Sequence, residues 1–503
     1  MLPREPGYLQ RLPLIIAAAL VMLWPAVLNG GVFFATDSIA YIRGPDQAIA
    51  KVLGPGHGTV WSDKKLGMGM VHGQATVAPA DEGRTPPMAG RSLYYGLLAN
   101  LGARTGGFWL TVFVQALAAM LALDLMCRAL GWERPQTFVA AAGLAALATP
   151  LAFIVDCVMP DALTPTLILT AGALAAGGDR LKRGELFLAF LILAYAAMVH
   201  TTHLLLLLAI AGSGGLLLIA RRWVTVRVGA PGVLTLAATG ALLVGLASGA
   251  VFNAAVVRAY GQPPVQPPFL TARLLGDGRP GDAWLRMHCP KAGFQACAYA
   301  PRLPMATDEF LWSADPHRSA FWTATTAERT ALGREQFALA LAVVRDDPAD
   351  VLRQFVIDGA TQFGDMSLFE INHKDSVRRG MEGWMAGPDA DRWRASMAWR
   401  KAWPTGLMDF IQLSGVALAV GGLVALTLRA GSRHSLRPDD DRLRILQAGA
   451  VILIAVTANA VVCGGLSDIF GRYQARVTAP LILIGLMALA SLFLAPGRFS
   501  NAR

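Results

Sequence analysis

Nine polar residues carry most of the chemistry open to this sequence: Asp37, Asp156, Asp161, His200, His203, Asp468, Arg472, Tyr473 and Arg476. They come from distant parts of the chain, yet each lies where a long apolar run gives way to polar residues. A carboxylate can take the proton of an incoming hydroxyl. A guanidinium matches phosphate oxygens with its planar fork and steadies the negative charge that grows on a departing phosphate. Such groups gathered at a membrane–water boundary would suit transfer of a unit carried on a lipid phosphate, whose reactive carbon sits just outside the bilayer. In that scheme Asp37, with Asp161 or Asp156, supplies the base, and Arg472 or Arg476 holds the phosphate. His200 and His203 stand three apart, the spacing of one helix face. They could bind phosphate or a metal, or simply form interfacial hydrogen bonds.

Each residue also has a plain structural role open to it. Asp37 precedes Ser38 at a place where Asp commonly caps a helix. Asp161 follows Pro160 in the first turn of an apolar run, where an acid complements the helix dipole. Asp156 could be an ordinary interfacial residue, and Arg472 and Tyr473 could be snorkelling and belt residues. Asp124 has Arg128 four residues on, the spacing of a helical ion pair.

The elements that must position these groups follow from composition. The chain has 503 residues, 54% hydrophobic and 16% charged, which places it among integral membrane proteins. In that class a net charge of +10 reads as an orientation signal rather than as nucleic-acid binding. A span needs roughly 20 apolar residues. Ten runs are read as spans: 12–32, 108–125, 137–155, 161–177, 186–199, the stretch between 203 and 221, 233–257, 406–428, 445–462 and 477–494. Basic residues recur at alternate ends: Arg4 and Arg11, Arg128 and Arg134, Arg180 to Arg183, Arg221, Arg222 and Arg227, Arg429 to Arg444, and Arg498 and Arg503. This alternation predicts a bacterial inner-membrane protein with both termini cytoplasmic.

Two polar regions then fall outside. The first is the loop 33–92, with a short helix expected over 38–53, interrupted at Pro45, and an amphipathic piece over 91–96 whose tyrosines suit an interfacial belt. The second is 258–404, where 18 Lys/Arg balance 17 Asp/Glu, so the positive bias of inner loops is absent. It is expected to be a mostly helical periplasmic insertion between spans seven and eight, with helices over 331–344 and 349–361. The domains are therefore 1–257, 258–404 and 405–503. Cys289 and Cys297 lie close together in this insertion and would pair in an oxidising compartment, unless both remain thiols.

Three motifs carry a family resemblance. Thr36-Asp37-Ser38 follows the first span, Met159-Pro160-Asp161 lies in the turn before the fourth, and Gly471-Arg472-Tyr473 precedes a span containing Pro480. In these the chain resembles the membrane glycosyltransferases of the GT-C fold, among them protein O-mannosyltransferases, aminoarabinose transferases and oligosaccharyltransferases. The resemblance implies an all-α polytopic protein that takes a sugar from a polyprenyl-phosphate donor and passes it to a glycan, lipid or protein acceptor. It implies that Asp37 is the catalytic carboxylate and Asp161 a second acid that contacts acceptor or a divalent cation such as Mg or Mn. Arg472, Tyr473, His200, His203 and Asp156 would then bind substrate. The chain departs from the family in having a single first acid and in the placement of its large outer region. Two other classes remain open: a transporter or flippase for a lipid-linked envelope precursor, and a non-catalytic partner in envelope assembly.

Overall fold

Inside a bilayer every backbone N–H and C=O must be satisfied within the protein, so apolar runs of this length become helices. The structure, a computed structural model, describes residues 8–59, 61, 68–71, 74–77, 87–220, 230–313, 315–373, 378, 388–431 and 441–493. The basic residues Arg4, Arg221, Arg222, Arg227, Arg433, Arg437, Arg498 and Arg503 lie outside these.

The N-terminal half begins with α1 (Tyr8–Met22) and α2 (Trp24–Asn29), followed by α3 (Ser38–Leu53) and α4 (Leu93–Arg104). Next come α5 (Trp109–Ala129), α6 (Pro135–Leu147), α7 (Leu151–Val155) and α8 (Leu163–Gly177). It ends with α9 (Arg183–Val199), α10 (Thr201–Ala220) and α11 (Pro231–Tyr260). The polar segment contributes α12 (Phe269–Leu275), α13 (Pro280–His288), α14 (Thr307–Trp312), α15 (Thr326–Asp346), α16 (Pro348–Gly364) and α17 (Pro388–Ala395). The last three helices are α18 (Thr405–Gly431), α19 (Asp441–Leu466) and α20 (Gly471–Phe493).

Among the described residues, seven helices are long and apolar enough to cross a membrane: Arg11–Asn29, α5, α10, α11, α18, α19 and α20. The chain is thus a helical, multi-pass membrane protein. The other three runs read as spans are helical but shorter. The third is broken into α6 and α7 at Thr149-Pro150, because proline lacks a donor and pushes the preceding residue out of helical geometry. At 15 and 17 residues, α8 and α9 reach about 23–26 Å at 1.5 Å per residue, less than a bilayer core of about 30 Å. Every residue of α8 is buried. It is the central rod, packed against α5, α9, α19 and α20. Small residues allow the close approaches: a side chain at Gly177 would run into the backbone of Ala129, and one at Gly485 into Ala419.

The first loop also departs from expectation. Helix α3 runs unbroken through Pro45, and α4 extends to Arg104. Tyr95 is not a belt residue: it is fully buried and donates to Gln115 Oε1 at 2.7 Å. A two-stranded antiparallel hairpin, β1 (Met68–Val71) with β2 (Gln74–Val77), adds a strand element that no apolar alternation announced. The polar segment has its own core around Leu275, Leu285, Phe310, Phe321 and Leu339. Cys289 and Cys297 are disulfide-bonded within it.

Ion pairs, those of Asp124 and Glu185 buried, close the end where α5 finishes. Arg11 bonds Asp124 at 2.7 Å, Arg128 bonds Asp124 at 3.0 Å and Glu185 at 2.8 Å, and Arg444 forks onto Asp179. The expected Asp124–Arg128 pair is therefore part of a larger network that ties α1, α5 and α9 together.

Candidate functional site at the opposite helix ends

The other end of the bundle gathers the residues singled out from sequence. Asp37 occupies the cap position of α3, but its side chain makes no capping bond; Ser38 Oγ instead accepts from the Ala35 amide at 2.8 Å. The Asp37 carboxylate turns to Arg91, whose Nη2 donates at 2.6 Å. Arg472 stands on its other side at 3.8 Å and also pairs with Glu370 at 2.9 Å. Deeper in, Arg476 is 1% exposed, donates to Asp161, and reaches Asn459 Oδ1 at 2.9 Å. His200 Nε2 lies 3.9 Å from the second Asp161 oxygen. Asp37, Asp161 and Arg472 lie within one another's electrostatic reach. They share one site, graded from partly exposed Asp37, Arg91 and Arg472 to buried Asp161 and Arg476.

Different parts of the fold bring these groups together. Asp37 and Arg91 come from the first loop, at the starts of α3 and α4. Asp161 sits in the turn that leads into α8. Arg472, Tyr473 and Arg476 are in the first two turns of α20, which begins at Gly471, earlier than the sequence indicated. Cys463 is buried near the end of α19, which runs on to Leu466, past the expected end of that span at 462. Cations at a helix N-terminus oppose the helix dipole. The two arginines there are offset by the carboxylates of Asp37, Asp161 and Glu370. The polar segment supplies Glu370 and the ring of Trp312, 5.8 Å from the Arg91 guanidinium; the Tyr41 ring also flanks it, at 5.6 Å. A bridge between Met88 and Val265 fixes this roof to the first loop.

Partial burial works to raise the Asp37 pKa, but the fields of Arg91 and Arg472 outweigh it, and the carboxyl is held below its usual value. The Arg91 guanidinium is correspondingly raised, since Asp37 outweighs the effect of burial. Asp37 is therefore an ionised, partly accessible carboxylate in a cationic setting.

Three expected members lie elsewhere. Asp156 is fully buried, and its Oδ2 accepts from the Ala26 amide at 2.8 Å. Ala26 is the third residue of α2, so Asp156 satisfies an amide that the break at Leu23 leaves without a helical partner. His203 is also fully buried; its Nε2 meets Thr164 Oγ1 at 2.8 Å and its Nδ1 meets the Ala196 carbonyl at 2.7 Å. With both ring nitrogens occupied, it pins α8 to the α9–α10 junction and has none left for substrate. His200 is not on its helix face, because the chain is extended at that point between α9 and α10. Asp468 pairs with Arg273 at 3.4 Å, inside the polar segment's own ion network.

Arg91 and Glu370 were missed. Gly90-Arg91-Ser92 does carry a signal, a cation just before the serine that caps α4. Glu370, in Phe369-Glu370-Ile371, has none. A divalent cation does not fit the donor set: Asp37 and Asp161 are engaged by guanidiniums. Among the described residues no group of three or more His, Cys, Asp or Glu side chains could hold a metal ion.

No family model, curated protein or solved structure matches this chain.

Proposed function

We propose that the chain is a GT-C-like membrane glycosyltransferase that moves a sugar from a polyprenyl-phosphate donor to an acceptor of the cell envelope. One observation carries the reading: a partly exposed, ionised Asp37 stands between Arg91 and Arg472 at the helix ends, beside the buried Asp161–Arg476 pair. The acceptor hydroxyl attacks the anomeric carbon as the bond from that carbon to the phosphate oxygen breaks. Asp37 orients the hydroxyl and takes its proton. Arg472, already shared between two carboxylates, and Arg91 meet the charge that develops on the departing phosphate. Arg476 and Asp161 hold the start of α20 against the turn before α8, which keeps Arg472 in place.

In this reading α6 with α7, α8 and α9 also cross, giving ten spans, because each runs between the same two ends of the bundle as its neighbours. The arginine-rich end, around Arg11, Arg128, Arg180 and Arg444, faces the cytoplasm with both termini. The disulfide-bearing segment lies on the opposite, oxidising side of an inner membrane.

The test is Asp37→Asn in purified, folded protein, with sugar release from a panel of polyprenyl-phosphate sugars followed by mass spectrometry. Loss of general-base function lowers turnover about 10²–10⁴-fold. Undiminished turnover in the variant, or no turnover of any donor by the parent chain, overturns the proposal.

A further inference from the structure

Helices α15 and α16 lie outside the seven candidate spans, yet they present apolar side chains outward. On α15 these are Phe337 (74% exposed), Leu341 and Val344, spaced four and three residues apart. They lie opposite the buried Leu332, Leu339 and Val343. On α16 they are Leu352, Val356 (59% exposed) and Phe363, at helical spacing, along the edge of the buried face formed by Asp358, Gly359 and Gln362. Exposed Arg334, Arg345 and Arg353 flank these stripes, but a helix pair surrounded by water would not also present apolar side chains of this size in register. Two continuous apolar stripes of this size mark a surface that something covers.

What α16 packs against identifies the cover. Its buried face rests on the span α19: Gly359 approaches Val461, Asp358 and Gln362 meet Gly464, and Phe355 lies over Gly465. Val461 is five residues from the end of α19, about 7.5 Å inside it at 1.5 Å per residue. Helix α16 therefore sits at the depth where a span meets the headgroups. Beneath it, Leu453, Ile454, Thr457, Ala458 and Val461 form an open apolar groove on α19, so the lipid-facing surface of the span continues up to α16. The turn between the two helices carries exposed Asp346 and Asp347, which keeps the tip out of the apolar layer.

We infer that the α15–α16 pair is an interfacial element, its apolar stripes sunk among the acyl chains of the leaflet at this end of α19 while its buried face carries the polar segment. The occupant of the exposed face is bilayer lipid. The roof over the Asp37 site is thereby held at a fixed height above the membrane. This conclusion stands on the membrane reading alone and survives if the glycosyltransferase reading fails.

The full chain in phosphatidylcholine nanodiscs decides it. Phe337→Cys and Val356→Cys carry an environment-sensitive fluorophore, with His317→Cys, exposed in the same segment, as the water-facing control. The parent chain corrects for the native thiols, of which Cys127 and Cys463 are buried. The expected result is quenching of the 337 and 356 labels by doxyl-labelled lipid, several-fold less quenching by iodide than at 317, and blue-shifted emission. Iodide quenching equal to that at 317 overturns the inference. Protection from both quenchers also overturns it, since a protein surface and not lipid would then cover the face.

Discussion

The pair Arg476–Asp161 offers the sharpest test of how the site is built. Arg476 is 1% exposed, and the Asp161 side chain 12%. Arg476→Met keeps the apolar stem and removes the guanidinium. Asp161 then retains His200 at 3.9 Å and the more distant field of Arg472, while Asn459 and Cys463 lose the donor that now reaches them at 2.9 and 3.3 Å. Breaking a buried pair by removing one partner costs about 3–5 kcal/mol, because an uncompensated charge stays behind. Asp161→Asn should cost a similar amount by stranding the arginine. In the double variant neither charge remains, so its loss should fall short of the sum, with a coupling of about 2 kcal/mol or more. The assay is reversible unfolding of the four proteins in mixed micelles by SDS titration, followed by helicity. Single losses below about 1 kcal/mol, the usual worth of an exposed pair, would refute the claim that this pair is buried and fixes the start of α20. So would strict additivity.

Other outcomes follow from the same structure. Asp37 titrates below its unfolded value of 3.8, so its pairing with Arg91 stabilises the fold above that pH and fades as pH falls through the folded value. The unfolding midpoints of the parent chain and Asp37→Asn should differ by a constant amount from pH 7 to 5 and converge below about pH 4. A difference that shrinks already near neutrality would place the carboxyl's pKa elsewhere. Removing the Cys289–Cys297 bridge with Cys297→Ser should cost the polar segment about 2–3 kcal/mol, seen as earlier proteolysis of 258–404 with the spans intact. Gly485→Leu should force α20 away from α18 at Ala419 and cost at least about 1–3 kcal/mol, measured by the same SDS titration.

The amino-acid sequence by itself determined the membrane class, the helical polar segment with its cysteine pair, and the level at which Asp37, Asp161, Arg472 and Arg476 would lie. The reason is that a bilayer imposes one-dimensional rules: apolar length makes a helix, and the first charge after it marks an end. Helices α15 and α16 were legible for a similar reason, since their periodicity is local. Tertiary structure alone decided which of the polar residues at that level meet. Asp156 and His203 stand at the same helix ends as Asp161 and His200, and nothing in their neighbours along the chain separates them. Packing turned Asp156 to the Ala26 amide and His203 to Thr164 and Ala196, while it left Asp161 and His200 facing each other. Arg91 and Glu370 entered the site from loops 54 and 102 residues away from their partners. Such loop charges look like solvated residues until the fold closes over them and strips away the water that would otherwise satisfy them.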